Sequence, residues 1–195
     1  MSKMKKRLSW RLSQWLQSPL SSHIISQEKA CLADYLKDRL FSESIVVGEM
    51  GHEVFLETIN ANYKGMIAEH AQPGLHLASI VGKHEELPIL SNTVDLMILP
   101  HTLDFTKRPH HLLKEADRCL KAESHLVILG FNRFSLWGFR RFLSLRLRAP
   151  WCGRYKTVWK IEDWLRLLNY EILKIKRVSY SPPLKPRGFF KYLGW

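Results

Sequence analysis

The sequence is poor in cysteine and has no long apolar run. Its three cysteines stand far apart among 195 residues, and they form neither a Cys-x-x-Cys pair nor an even-numbered framework. This pattern argues against a disulfide scaffold or a cysteine metal site, and it predicts a cytoplasmic setting. No apolar stretch approaches the roughly 20 residues that a helix needs to span a bilayer. A chain of 195 residues suits one domain with a sizeable core.

Acidic residues are scarce at both ends of the chain. The first is Glu28, and residues 133–195 hold 3 Asp+Glu against 15 Lys+Arg, so the whole net charge of +12 lies in the last third. This asymmetry favours a face that meets an anionic partner, such as nucleic acid, acidic lipid or a phosphorylated metabolite. The alternative is a basic surface that serves solubility and has no specific partner.

The first 43 residues are predicted to form an N-terminal helical cap on a domain of residues 44–195. Leucine and tryptophan recur near helical spacing over 7–17, which predicts an amphipathic helix there. A second helix is predicted over 26–40. Because one short helix with few apolar residues binds membranes weakly, docking of the first helix on the domain is favoured over docking on a membrane.

Strand-like and helix-like patterns alternate after the cap. Apolar runs predict strands at 45–47, 64–69, 75–81, 94–99 and 125–131. Helical patterns lie between them, most clearly after Pro109. This alternation with short connections predicts an α/β fold, with a doubly wound, mostly parallel sheet and helices on both faces. A helix over 161–168 and a further strand over 170–180 are predicted to follow.

A glycine-containing turn follows the first predicted strand. Gly48 and Gly51 come directly after the β-branched run at 45–47. Glycines at such a strand-to-helix turn let the backbone approach a ligand, and the helix N-terminus offers free N–H groups. The Gly-x-Gly-x-x-Gly pattern is absent, which argues against a nicotinamide-dependent oxidoreductase.

The segment 133–160 mixes arginine with aromatic side chains. Four arginines share one sector of a helical projection with a tryptophan. Such a face can stack on bases, bind phosphates or lie in a lipid headgroup layer. The candidate substrate contacts in this segment are Arg133, Trp137, Arg140, Arg141 and Tyr155.

The order of these parts resembles the class I S-adenosylmethionine-dependent methyltransferases. The resemblance rests on Leu87-Pro88-Ile89, the run 92–105, the helix 112–121 and the strand 125–130. It covers residues 44–131, and residues 132–138 further resemble a bacterial branch of that family. It implies a Rossmann-like fold, S-adenosylmethionine as cofactor and methyl transfer as the activity. It also implies a last antiparallel strand, for which residues 184–195 leave either a stub or a truncated C-terminus.

The resemblance also implies site residues. The glycine turn corresponds to the methionine end of the cofactor, and Glu69 to the carboxylate that accepts from the ribose hydroxyls. The loop at Leu87 corresponds to the adenine site, and His101 to the meeting point of cofactor and substrate. The implied cofactor contacts are Gly48, Glu49, Gly51, Glu69, Glu85, Leu87 and His101.

A general base is needed only if the methyl acceptor is protonated. His101 is the first candidate for this base and Asp104 the second, while the alternative for His101 is a loop histidine bonded to backbone. His111 and Glu115 stand four residues apart on a predicted helix. No third ligand accompanies them, so no metal site is predicted.

Two functions therefore remain open. The first is methyl transfer to an anionic or membrane-associated acceptor covered by residues 133–160. The second is a non-catalytic relative that keeps the fold and binds nucleic acid or acidic lipid, because the family's three-glycine turn is reduced to Gly48 and Gly51. A peripheral position at the inner membrane face is the alternative to a free cytoplasmic protein.

Overall fold

The computed structural model describes residues 15, 18–49, 52–69, 79–134 and 153–178. In chain order its elements are α1 (Pro19–Leu36), β1 (Phe41–Val47), a 3₁₀ helix (Glu53–Thr58), β2 (Ala61–Ala68), β3 (Ser79–Val81), β4 (Val94–Pro100), α2 (Thr102–Phe105), α3 (Pro109–Cys119), β5 (Leu120–Leu129) and α4 (Val158–Leu167). The helix predicted over 7–17 falls almost wholly outside the described residues, as does most of the segment 133–160.

The five strands form one parallel sheet in the order β3-β2-β1-β4-β5. β1 lies at the centre, where Val46 is opposite Met66 of β2 and Ile98 of β4. The chain first winds outward from β1 to β3 and then crosses back to β4. The strand order therefore reverses between β1 and β4, which is where open α/β sheets bind ligands. The predicted doubly wound parallel sheet is confirmed.

Helices cover both faces of this sheet, as predicted. The central strands read as nearly continuous apolar runs because both of their faces are buried. On one face, side chains of β1 and β4 pack against α3 and against Trp164 of α4. On the other face, Val46, Leu96 and Ile98 pack against Leu32 and Leu36 of α1 and against the 3₁₀ helix.

Several predicted elements differ from the structure. β1 begins at Phe41 and not at residue 45, and β5 begins at Leu120 and not at residue 125. α1 begins at Pro19, well before residue 26, because the Ser18 side chain accepts the N–H of Ser21 and proline suits the first turn of a helix. Residues 170–178 form no strand, so that part of the strand predicted over 170–180 is wrong. An alternating segment becomes a strand only beside a partner edge, and within the described residues β5 pairs with β4 alone. Residues 179–195 lie outside the described part.

No helix among the described residues is both long and apolar enough to cross a membrane. The proposed boundary between a cap of residues 1–43 and a domain of residues 44–195 stays a prediction. β1 itself starts at Phe41, and α1 packs directly on the sheet.

Candidate active site

The carboxyl ends of β1 and β4 lie side by side and are tied together. The Thr102 hydroxyl, just after β4, donates to the carbonyl of Val47 at the end of β1, at 2.6 Å. Between β4 and Thr102 stands His101, whose N–H donates to the Leu129 carbonyl of β5 at 2.8 Å. The φ angle of His101 is 54°, in the left-handed region that costs a non-glycine residue about 1 kcal/mol or more. The surrounding contacts thus hold this histidine in a strained conformation at the strand reversal.

His101 is buried between two carboxylates. Its Nε2 lies 3.1 and 3.2 Å from the two carboxylate oxygens of Glu28, and its Nδ1 lies 3.8 Å from Asp104 Oδ2. The latter distance is too long for a hydrogen bond, so Asp104 acts on the ring through its charge. Burial alone lowers the pKa of this imidazole, but the charges of Glu28 and Asp104 outweigh it and raise the pKa to about 10. His101 is therefore an imidazolium at neutral pH.

An aromatic cluster backs the His101 ring. The Phe131 ring stacks on it with centroids 4.3 Å apart, and the Phe131 N–H donates to Asp104 Oδ2 at 2.9 Å. Tyr155 and Trp15 pack on Phe131, with ring centroids at 4.9 and 5.8 Å. These buried rings exclude water from one side of the imidazolium, which strengthens its interactions with the carboxylates.

A second buried histidine fills the space over the glycine turn. The His52 N–H donates to the Glu49 carbonyl at 3.3 Å, and the ring folds back so far that a Cβ on Gly48 would overlap Nδ1. The His52 and His101 rings are 6.1 Å apart. Burial lowers the pKa of His52, and nearby His101 and His84 lower it further. His52 is therefore neutral beside the charged His101.

Glu69 immediately follows β2, at the position that the resemblance implies for a ribose-binding carboxylate. Its side chain is mostly buried, and its Oε1 lies 4.0 Å from Nδ1 of the buried His84. His84 also lowers the pKa of His52, so it lies close to that ring. The polar groups at the ends of β2, β1 and β4 therefore lie close together.

The other predicted site residues have different positions. Leu87 belongs to the same core cluster as Val47, and its N–H donates to Glu115 Oε2 at 3.1 Å. Glu85 is half-buried in a short turn, and Arg133 is exposed, whereas Tyr155 is buried. The remaining predicted site residues lie outside the described part of the chain: Gly51, Trp137, Arg140 and Arg141.

Three site residues were missed by sequence reasoning, namely Glu28, His52 and His84. For Glu28 a signal was present, because it stands four residues after Ile24 and four before Leu32 on the buried side of α1. A lone carboxylate within an apolar stripe needs a partner, and that partner is His101. No comparable pattern marks His52 or His84.

Part of the chain matches a known protein family. Residues 42–128 match the family described as "Methyltransferase domain". Over these residues the chain is similar to the class I S-adenosylmethionine-dependent methyltransferases. The family and its fold imply S-adenosylmethionine as the cofactor.

Other proteins share the sequence or the fold of this chain. The chain is 33% identical over 143 residues to the uncharacterized protein YafS of Escherichia coli K12, covering 73% of this chain and 58% of YafS. It therefore spans little more than half the length of that relative. A methyltransferase of Thermotoga maritima has a TM-score of 0.58 and 19% identity, over 76% of this chain and 73% of its own. A methyltransferase of Aquifex aeolicus has a TM-score of 0.53 and 15% identity, over 70% and 76%. The likeness to these two structures shows the Rossmann-like fold.

The residues at this site fit an adenosyl cofactor. Glu69 places a carboxylate at the end of β2, where it can accept from two neighbouring hydroxyls. Both ring nitrogens of His52, beside the glycine turn, are buried and lack a hydrogen-bond partner among the described residues. Within the same residues, no group of three or more His, Cys, Asp or Glu side chains could hold a metal ion.

Proposed function

We propose that the protein transfers the methyl group of S-adenosylmethionine to an anionic acceptor that approaches along residues 133–160. The observation that carries this proposal is the convergence of Glu69, His52 and the His101 cluster at the ends of β2, β1 and β4. The bound cofactor supplies a methyl group on a sulfonium, whose leaving group is a neutral thioether.

In this proposal the chain binds, orients and excludes water. Glu69 accepts hydrogen bonds from the ribose hydroxyls. Glu28 and Asp104 surround one imidazolium, which leaves the cluster with one net negative charge near a cationic sulfonium. The aromatic wall at Phe131 keeps that side dry. Holding the reacting atoms in line can by itself gain effective molarities of about 10⁵ M or more.

The protonation state of His101 bears on the acceptor. An imidazolium cannot remove a proton, so His101 would serve as a base only near its pKa of about 10. Asp104 is the second candidate, but its Oδ2 already accepts from the Phe131 N–H. A carboxylate or phosphate oxygen needs no base, since its lone pair is free at neutral pH. A site without a free base therefore suits an acceptor that is already deprotonated. The basic residues of segment 133–160, and not the net-negative cluster at His101, would attract such an acceptor.

Binding of the cofactor tests the proposal directly. We expect calorimetry to detect S-adenosylmethionine, and we expect Glu69→Gln to weaken its binding by about 10- to 100-fold, because charge-assisted hydrogen bonds to the ribose are lost. The matched control is Glu86→Gln, which removes an exposed carboxylate paired with Lys83 and should leave affinity within about twofold. Absence of heat at millimolar ligand would instead support the non-catalytic alternative.

Exposed side chains of the segment 133–160 support the proposal that the methyl acceptor is held at an anionic lipid surface. Phe134 and Trp159 are 73% and 74% exposed, and their ring centroids are 6.3 Å apart. The sequence neighbours of these two rings, Arg133 and Lys160, are exposed cations. Exposed aromatic rings beside cations suit a headgroup layer, where the rings enter the apolar boundary and the cations meet phosphates.

Vesicle sedimentation tests this surface. We expect the protein to bind vesicles with about one-third anionic lipid and to lose about tenfold in affinity in the Phe134→Ser/Trp159→Ser double variant. The control is Leu167→Ser, since Leu167 is 75% exposed at the other end of α4. Binding to RNA with a steep salt dependence, and to no vesicle, would support the nucleic-acid alternative.

A further inference from the structure

Residues 83–91 belong to no helix or strand, and they connect β3 to β4. This segment passes the candidate site, because the Nδ1 of its buried His84 lies 4.0 Å from Glu69 Oε1. It also packs closely on the end of β3, since a Cβ on Gly82 would lie 2.7 Å from Pro88 Cδ. The backbone groups of an irregular segment still need hydrogen-bond partners, so residues elsewhere in the chain must supply some of them.

Two side chains of α3 hold the 83–91 segment. The Glu115 carboxylate accepts the N–H of Leu87 at 3.1 Å, and Arg118 donates to the carbonyls of Leu87 and Ile89, each at 3.0 Å. Nη2 of Arg118 also donates to Glu115 Oε2 at 2.9 Å, so each side chain orients the other. The pair thereby satisfies three backbone groups of the segment. A guanidinium suits this position because its N–H donors point in fixed directions within one plane.

We propose that Glu115 and Arg118 are positioning residues for cofactor binding, because they fix the 83–91 segment and, with it, His84 beside Glu69. This inference rests on the proposed function and adds to it two residues that act through the segment. Their helix α3 is held on the sheet by its own buried side chains, so it offers a rigid support. A ligand binds more tightly to a segment that is ordered beforehand, because ordering it on binding costs free energy.

A similar arrangement at the other end of the sheet provides the matched control. The Asp95 carboxylate, near the start of β4, accepts the N–H groups of Ser42 and Glu43 and pairs with Lys121 at 2.8 Å. The Glu115 and Asp95 side chains are 24% and 25% exposed, so the two carboxylates are equally accessible to water. If both carboxylates serve stability alone, the same substitution will have the same effect at either end.

Calorimetry with S-adenosylhomocysteine tests the proposal. We expect Arg118→Gln and Glu115→Gln to weaken its binding by about fivefold or more, because the segment then has to be ordered on binding. Asp95→Asn should change the affinity by less than about twofold, since it shares no partner with the site. Arg118→Lys keeps the charge but loses the planar set of donors, so it should weaken binding nearly as much as Arg118→Gln.

Gly82→Ala disturbs the same segment without removing a charge. The added Cβ would overlap the Pro88 ring, so the segment must shift away from the end of β3. We expect this variant also to bind S-adenosylhomocysteine more weakly than wild type. It provides the test if the variants of α3 fail to fold.

Hydrogen exchange gives a readout that a purely structural role would not move. Without ligand, the amides of residues 83–91 should exchange faster in Arg118→Gln than in wild type, because local opening of the segment becomes easier. Saturating S-adenosylhomocysteine should restore their protection. In Asp95→Asn these amides should exchange as they do in wild type.

The outcomes separate this proposal from the proposed function. Wild-type affinity in Arg118→Gln and Glu115→Gln would overturn the positioning role, as would equal weakening in Asp95→Asn or full affinity in Arg118→Lys. If the α3 variants do not fold, wild-type affinity in Gly82→Ala would overturn it. Failure of wild type itself to bind S-adenosylhomocysteine would overturn the proposed function, and the positioning role with it.

Discussion

Replacing Glu28 by glutamine is expected to lower the free energy of unfolding by about 3 kcal/mol at neutral pH, because removal of one partner leaves a buried charge poorly compensated. The Glu28 carboxylate lies 3.1 Å from His101 Nε2, and the other acidic neighbour of that ring, Asp104, is 3.8 Å away and makes no hydrogen bond to it. Urea unfolding followed by circular dichroism measures the loss. Glutamine keeps the shape of the side chain, so the effect reports the charge rather than a cavity.

Glu57→Gln is the matched control for this experiment. Glu57 pairs with Lys29, so the same substitution again removes an ion pair between α1 and another element. The Glu57 side chain is 65% exposed, however, and an exposed pair contributes only about 0–1 kcal/mol. Equal losses from the two substitutions would mean that the Glu28–His101 pair is no stronger than a surface pair.

Local sequence pattern predicted β4 and α3 well, because the burial of each element is visible in its own residues. β4 is apolar almost throughout and is buried on both faces, so its composition alone identifies it. α3 begins with Pro109 and has a clear apolar stripe, so its position was also predicted. β1 is longer than predicted because its first residues are polar; the Asp95 carboxylate accepts the N–H groups of Ser42 and Glu43. Such long-range partners leave no local signal.

The site could be predicted only in part, for the same reason. His101 and Glu69 follow apolar strands, so their place in the chain points to them. Glu28 contacts His101 although the two residues are 73 positions apart in the sequence. Glu28 lies on α1, outside the matched residues 42–128. The pKa of His101, and with it the argument for an anionic acceptor, follows from that remote contact. Family resemblance therefore gave the position of His101 and could not give its charge.

The charge of His101 also predicts how stability depends on pH. The pKa rises from 6.5 to about 10 on folding, although burial opposes the rise, because Glu28 and Asp104 stabilise the imidazolium. Between these values the folded state keeps a proton that the unfolded state has lost, so the free energy of unfolding falls as pH increases. The stabilisation is complete below pH 6.5 and is lost as pH rises through about 10. We expect a total loss of roughly 3–5 kcal/mol.

Urea unfolding at several pH values across this window measures the slope. In Glu28→Gln the pKa of His101 lies lower, so the slope should be shallower, and the stability difference from wild type should shrink toward pH 10. His125→Gln is the control, because burial and Arg39 lower the pKa of His125 and its titration lies below the window. Curves without this slope in both wild type and Glu28→Gln would mean that His101 is neutral in the folded protein. In that case His101 again becomes the first candidate for a general base, and the acceptor need not be anionic.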